Sequence, residues 1–147
     1  MIKQVLTTFM IALGIGCICY QAQNFAQSHY LNGFLKDNLI NLLVALLAVN
    51  SATMGIVLTK IRELTDKHGS PESFTETKEH MLLSIREQIG LIASAIVLLT
   101  ASSSAYISEN ENIKPVIATL IITVFAYSLM NLYDMAKSVL VILDYEI

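Results

Sequence analysis

The sequence predicts an all-α integral membrane protein: an antiparallel bundle of four transmembrane helices, with a cytoplasmic helical hairpin between helices 2 and 3. Three observations carry this expectation. Charged residues make up 14% of the 147-residue chain, against about 25% in an average soluble domain. Four runs contain no Asp, Glu, Lys or Arg: residues 4–28, 38–59, 88–108 and 115–133. A helix of about 20 apolar residues spans the roughly 30 Å hydrocarbon core of a bilayer and satisfies its own backbone hydrogen bonds there. The longest polar segment, residues 60–87, is too short to build a core of its own. The chain therefore reads as one membrane domain, residues 1–147.

The first span is expected at about 4–24. Its apolar heart, Val5 to Tyr20, also has the layout of a signal peptide, with one Lys before it and small residues near Gln21-Ala22-Gln23; the reading taken here is a retained helix. Thr8, Ala12, Gly16, Cys19 and Gln23 share one face at spacings of 4, 4, 3 and 4. Residues 29–37 read as a short connection with a turn at Asn32-Gly33, and Phe34 and Leu35 as interfacial residues.

The second span, about 38–59, carries a small-residue face, Asn41, Ala45, Ala48, Ala52 and Gly55. Such faces let membrane helices approach closely. Asn50 stands on the opposite side with Thr53 nearby, a polar point near mid-bilayer. A bare amide facing lipid is costly, so Asn50 is expected to meet another helix, a second copy or water.

Residues 60–87 are expected to form the hairpin. Val57, Ile61 and Leu64 extend the second helix to about Lys67, Gly69 and Pro71 end it, and Ser73 or Thr75 caps the next. The third span, about 88–108, presents Gly90, Ser94, Val97, Ala101, Ser104 and Ser108 on one face. The fourth, about 115–134, opens with Pro115 in a first-turn position and lines up Thr123, Tyr127, Asn131, Asp134 and Ser138. The short link before it predicts that spans three and four are antiparallel neighbours. The tail, 135–147, continues as an apolar helix at the interface.

Orientation follows from the basic residues. Lys3, Lys60, Arg62, Lys67, Lys78, Arg86 and Lys137 fall on one side of a four-span layout, and Lys36 and Lys114 on the other. The positive-inside rule puts both termini and the hairpin in the cytoplasm, and the size and layout suit a bacterial inner membrane.

Motifs for chemistry are missing. Cys17 and Cys19, two apart on a helix, do not face each other. His29, His68 and His80 have no metal-ligand spacing, and no nucleophile elbow or phosphate loop occurs. No cofactor, metal or catalytic residue is expected, and a net charge of −3 argues against a nucleic-acid partner. Arg86 is expected at the inner boundary, pairing with Asp134 or a lipid phosphate. The remaining expectations are a polar path or interhelix contact at Asn50, Thr53, Thr123, Tyr127, Asn131 and Asp134; packing at Gly16, Ala45, Ala48, Ala52, Gly55, Gly90 and Ser94; and a partner surface at Arg62, Lys67, Lys78 and Arg86. In size and layout alone the chain resembles the small multi-span proteins that bacteria and phages use as ion-leak effectors or channel subunits. Four packed helices cannot themselves surround a wide pore, so the leading expectation is a homo-oligomer that forms or gates a polar path in the lipid bilayer. The alternative is a non-catalytic scaffold that docks a cytoplasmic protein through the hairpin.

Overall fold

A computed structural model of the chain describes residues 2–68, 75–104, 107, 110 and 112–144. Among these residues run four long helices: α1 (Ile2–Phe25), α2 (Tyr30–His68), α3 (Thr75–Ser102) and α4 (Ile113–Asp144). Each contains a stretch long and apolar enough to cross a membrane: Val5–Phe25, Tyr30–Glu63, Lys78–Ser102 and Ile113–Leu140. The expected helix stop at Gly69 and Pro71, the cap at Ser73, and Ser108 lie outside the described residues, as do the side chains of Leu64 and Lys67.

The connection expected at residues 29–37 is instead the opening of α2. The chain reverses earlier, at Gln27, whose φ is 49°. Ser28 N donates to Gln23 O, and Gln27 N donates to Asn24 O. This is a Schellman ending with Gln27 in the left-handed position usually given to glycine. Gln23 then reaches across: its Oε1 accepts a hydrogen bond from Asn32 N at 3.1 Å, satisfying one of the N–H groups left open in the first turn of α2. Asn32-Gly33 therefore has no turn left to make. Leu35, expected at the interface, is fully buried, while Phe34 stays outside, its ring 6.1 Å from that of Tyr30. At the other end of the chain α4 runs past residue 134 into the tail without a break.

The helices are not arranged as four equal staves. α4 packs against all three others, α2 also packs against α3, and α1 lies chiefly on α4. In the most apolar window of α4, 44% is buried, against at most 17% in the other three. The α1 residues that lose exposure include Thr8, Ala12, Gly16, Cys19 and Gln23. At Gly16 the approach is closest. A Cβ there would collide with Thr123 Oγ1 and lie 3.1 Å from the Thr119 carbonyl oxygen.

The other expected packing residues point elsewhere. Ala45, Ala48, Ala52, Gly55, Gly90 and Ser94 are exposed on the outside of the four-helix unit, and a Cβ on Gly55 or Gly90 would meet nothing within 4 Å. The inward ridge of α2 is the larger set Leu35, Leu39, Leu43, Asn50, Val57 and Ile61. Large side chains fill the space where three helices meet. Small ones would leave voids there and forfeit the dispersion contacts that hold packed helices together.

Candidate functional site

Two apolar clusters divide the interior. One joins Leu35, Leu39 and Leu43 of α2 to Ala95 of α3 and Ile121, Ile122 and Val124 of α4. The other joins Val57 and Ile61 to Met81 and Met135. Halfway between them each helix carries a polar residue. Asn50 is seven residues from both Leu43 and Val57, Gln88 seven from Met81 and Ala95, and Ser128 seven from Ile121 and Met135. Seven residues make about two helical turns, which returns each of them to the inner face. All three are 0% exposed. Ser84 and Asn131, about one turn nearer the second cluster, complete a polar layer inside an otherwise apolar core.

Asn131 ties the layer together. Its Nδ2 donates to the Ser84 carbonyl oxygen at 2.8 Å and to Gln88 Oε1 at 3.3 Å, and its Oδ1 accepts from Ser84 Oγ. Gln88 in turn donates from Nε2 to the Leu43 carbonyl oxygen at 3.3 Å, linking α3 to α2. Ser128 donates to its own helix at Phe125 O. Asn50 differs from all of these. It is fully buried, and neither its Oδ1 nor its Nδ2 has a hydrogen-bond partner. An unpaired buried polar group costs about 1–3 kcal/mol.

The layer opens at one side. A cavity of about 250 Å³ is lined by Thr8 near the start of α1, His80, Ser84 and Glu87 near the start of α3, and Asn131, Asp134, Lys137 and Ser138 near the end of α4. Ser84 and Asn131 belong to both cavity and layer. A second polar cavity, about 290 Å³, gathers Gln23 and Asn24 of α1, Asn32 and Lys36 of α2, and Lys114 of α4. Between that cavity and the layer stands the Leu39–Leu43–Ile121 cluster. Polar surface thus reaches from one end to the middle of the unit, and an apolar plug separates it from a polar cavity at the other end.

The residues singled out from the sequence are distributed unevenly over this site. Asn50 and Asn131 are in the layer, Asp134 lines the first cavity, and Tyr127 is buried. Thr123 is occupied by the α1 crossing; its hydroxyl donates to Thr119 O at 2.8 Å. Thr53 is half-buried and makes no side-chain hydrogen bond among the described residues. Arg86 is exposed and in no ion pair among the described residues, which corrects its expected pairing with Asp134. The neighbouring Glu87 is the one that turns inward, because Met81, Ser84 and Gln88 set the inner face of α3. Arg62 is exposed and Lys78 half-buried. Comparison of the chain with protein-family models, with curated proteins and with solved structures finds no match in any of the three.

Ser84, Glu87, Gln88 and Ser128 did not emerge from the sequence. A signal was present: Met81, Ser84, Gln88 and Ala95 recur at 3, 4 and 7, a regular helical stripe. The run of small residues from Gly90 onward is more regular still and lies on the opposite face.

Proposed function

We propose that this chain is a multi-pass membrane protein, its helices antiparallel with both termini and the α2–α3 hairpin in the cytoplasm, that forms a gated path for a small polar solute or ion. The observation that carries this reading is the unpaired, fully buried amide of Asn50, level with a polar layer that opens into the first cavity. Buried polar groups without partners are rare and call for an explanation, and a group that serves a passing solute supplies one. The antiparallel arrangement is supported by the first cavity, which collects the beginnings of α1 and α3 with the end of α4. Seven of the nine basic residues fall at that end in this layout, which supports its cytoplasmic placement.

The Leu39–Leu43 plug makes this a closed state. Apolar constrictions gate by excluding water, so polarising the plug should open it. In liposomes carrying the purified protein, Leu43→Asn is expected to raise ion flux at least about tenfold over the unmodified chain, the equivalent of ~1.4 kcal/mol off the barrier. Asn50→Leu on that background is expected to return flux toward the basal level. Folded Leu43→Asn protein with no flux above empty vesicles would overturn the reading. The outward small face of α2 suits the packing of further copies around it.

A second reading has its own support. By its 39 residues α2 is about 58 Å long, far more than a bilayer needs, and it carries Arg62, Glu63 and Asp66 exposed on its overhang. A helical projection of mixed charge suits docking of a cytoplasmic protein, and the path and the dock are compatible roles for one chain.

A further inference from the structure

We propose that the cleft between α1 and α3 binds a lipophilic organic cation, with its apolar body in the cleft and its positive centre at the Glu87 carboxylate. The cleft is an apolar groove of about 930 Å³, walled by Leu6 and Phe9 on α1 and by Gly90 and Val97 on α3, and floored by Val124 of α4. That volume lies within the roughly 300–1,000 Å³ of small-molecule sites. Leu6, Phe9, Gly90 and Val97 are all exposed, so an occupant enters sideways rather than through the core.

One end of this groove is not apolar. Val5, Leu83 and Glu87 line the groove and also the polar cavity that holds Asp134. The two spaces therefore share a boundary, and Glu87 stands on it. Among the described residues the ion pair is Lys60–Glu63, at 3.4 Å; neither Glu87 nor Asp134 takes part in one. The basic members of the polar cavity are His80 of α3 and the exposed Lys137 of α4, one turn beyond Asp134.

Charge complementarity selects the occupant. A carboxylate within an apolar span is costly and marks a functional position, and a cation beside it offsets that cost. Two carboxylates at the head end repel the phosphate of a phospholipid. The groove thus takes an amphiphile whose body is apolar and whose single charge is positive. This inference does not depend on the path: it needs no plug to open, and its test involves no flux.

The test is equilibrium binding of tetraphenylphosphonium to the full chain in phosphatidylcholine nanodiscs, with tetraphenylborate as the anion of the same shape. Saturable binding of the cation is expected, with at least about tenfold weaker binding of the anion, a difference of ~1.4 kcal/mol. Glu87→Gln is expected to abolish the preference for the cation. Gly90→Leu fills the groove without touching a charge, and because a Cβ at Gly90 meets nothing within 4 Å the variant should fold; it is expected to weaken binding at least about tenfold. No saturable binding above empty nanodiscs, equal binding of both ions, or displacement of the cation by added phosphatidylethanolamine would overturn the proposal. The last of these would make the groove a lipid site. Unchanged binding in folded Gly90→Leu would also overturn it, by placing the ligand elsewhere.

Discussion

Asn131→Leu is expected to lower the stability of the protein in detergent by about 2–3 kcal/mol. Leucine keeps the branched shape of asparagine but is larger, so some overpacking adds to the polar loss. Asn131 bonds Ser84 through both its side-chain atoms and bonds Gln88 as well. Removing it leaves the Ser84 hydroxyl and the Gln88 carbonyl buried without partners. Interhelical hydrogen bonds in membrane proteins average about 0.6 kcal/mol and reach about 1.7, so lost bonds alone fall short of this figure. The desolvation of stranded groups supplies the rest. The thermal midpoint of purified variants checks this, and the double variant Ser84→Ala/Asn131→Leu distinguishes the mechanism. It should cost clearly less than the sum of the single changes, because each removes the other's stranded partner. Additive effects would mean that the bonds do not act as a unit.

The second large effect is expected at the α1–α4 crossing. Gly16→Val should cost about 1–3 kcal/mol through overpacking. The obstruction is rigid. Thr123 Oγ1 is held by its bond to Thr119 O at 2.8 Å, and backbone atoms of Thr119 and Thr123 lie 3.1 and 3.3 Å from the position of the new Cβ. Because α1 lies chiefly on α4, it has little else to hold it in place. Gly16→Ala is milder and should be partly restored by Thr123→Ala, measured as heat denaturation of the four chains in a double-mutant cycle. Gly55→Ala and Gly90→Ala serve as contrasts. With nothing near the added methyl, they should be neutral or stabilising by up to about 1 kcal/mol, the helix-propensity advantage of alanine over glycine.

These effects show which parts of the fold were legible in the residues. The four helices follow from charge-free runs, because in lipid an unbroken helix is the simplest way to satisfy a single-segment backbone. Asn50 could be placed away from the small face of its helix by spacing alone, and the Tyr127–Asn131–Asp134 stripe likewise. The inward face of α2 and α3 could not. A run of small residues reads the same whether it meets a helix of its own chain, a second copy or a lipid tail, and here the leucine ridge won the interior. The reversal at Gln27 was hidden because a non-glycine residue occupies the left-handed position, while Asn32-Gly33, a stronger turn signal, sits inside a helix. Spacing alone does not separate Glu87 from its neighbour Arg86, since a single-residue shift around a helix decides which side chain faces in.

The proposed path requires two polar cavities that open to opposite sides of a membrane, with an apolar plug between them. The most direct measurement is labelling by a membrane-impermeant thiol reagent in a Cys17→Ala/Cys19→Ala background, with a single cysteine at Ser138 in the first cavity or at Asn24 in the second. Sealed inside-out vesicles should expose Ser138→Cys and protect Asn24→Cys, and right-side-out vesicles the reverse. Labelling of both positions from the same side, in either orientation, would contradict it.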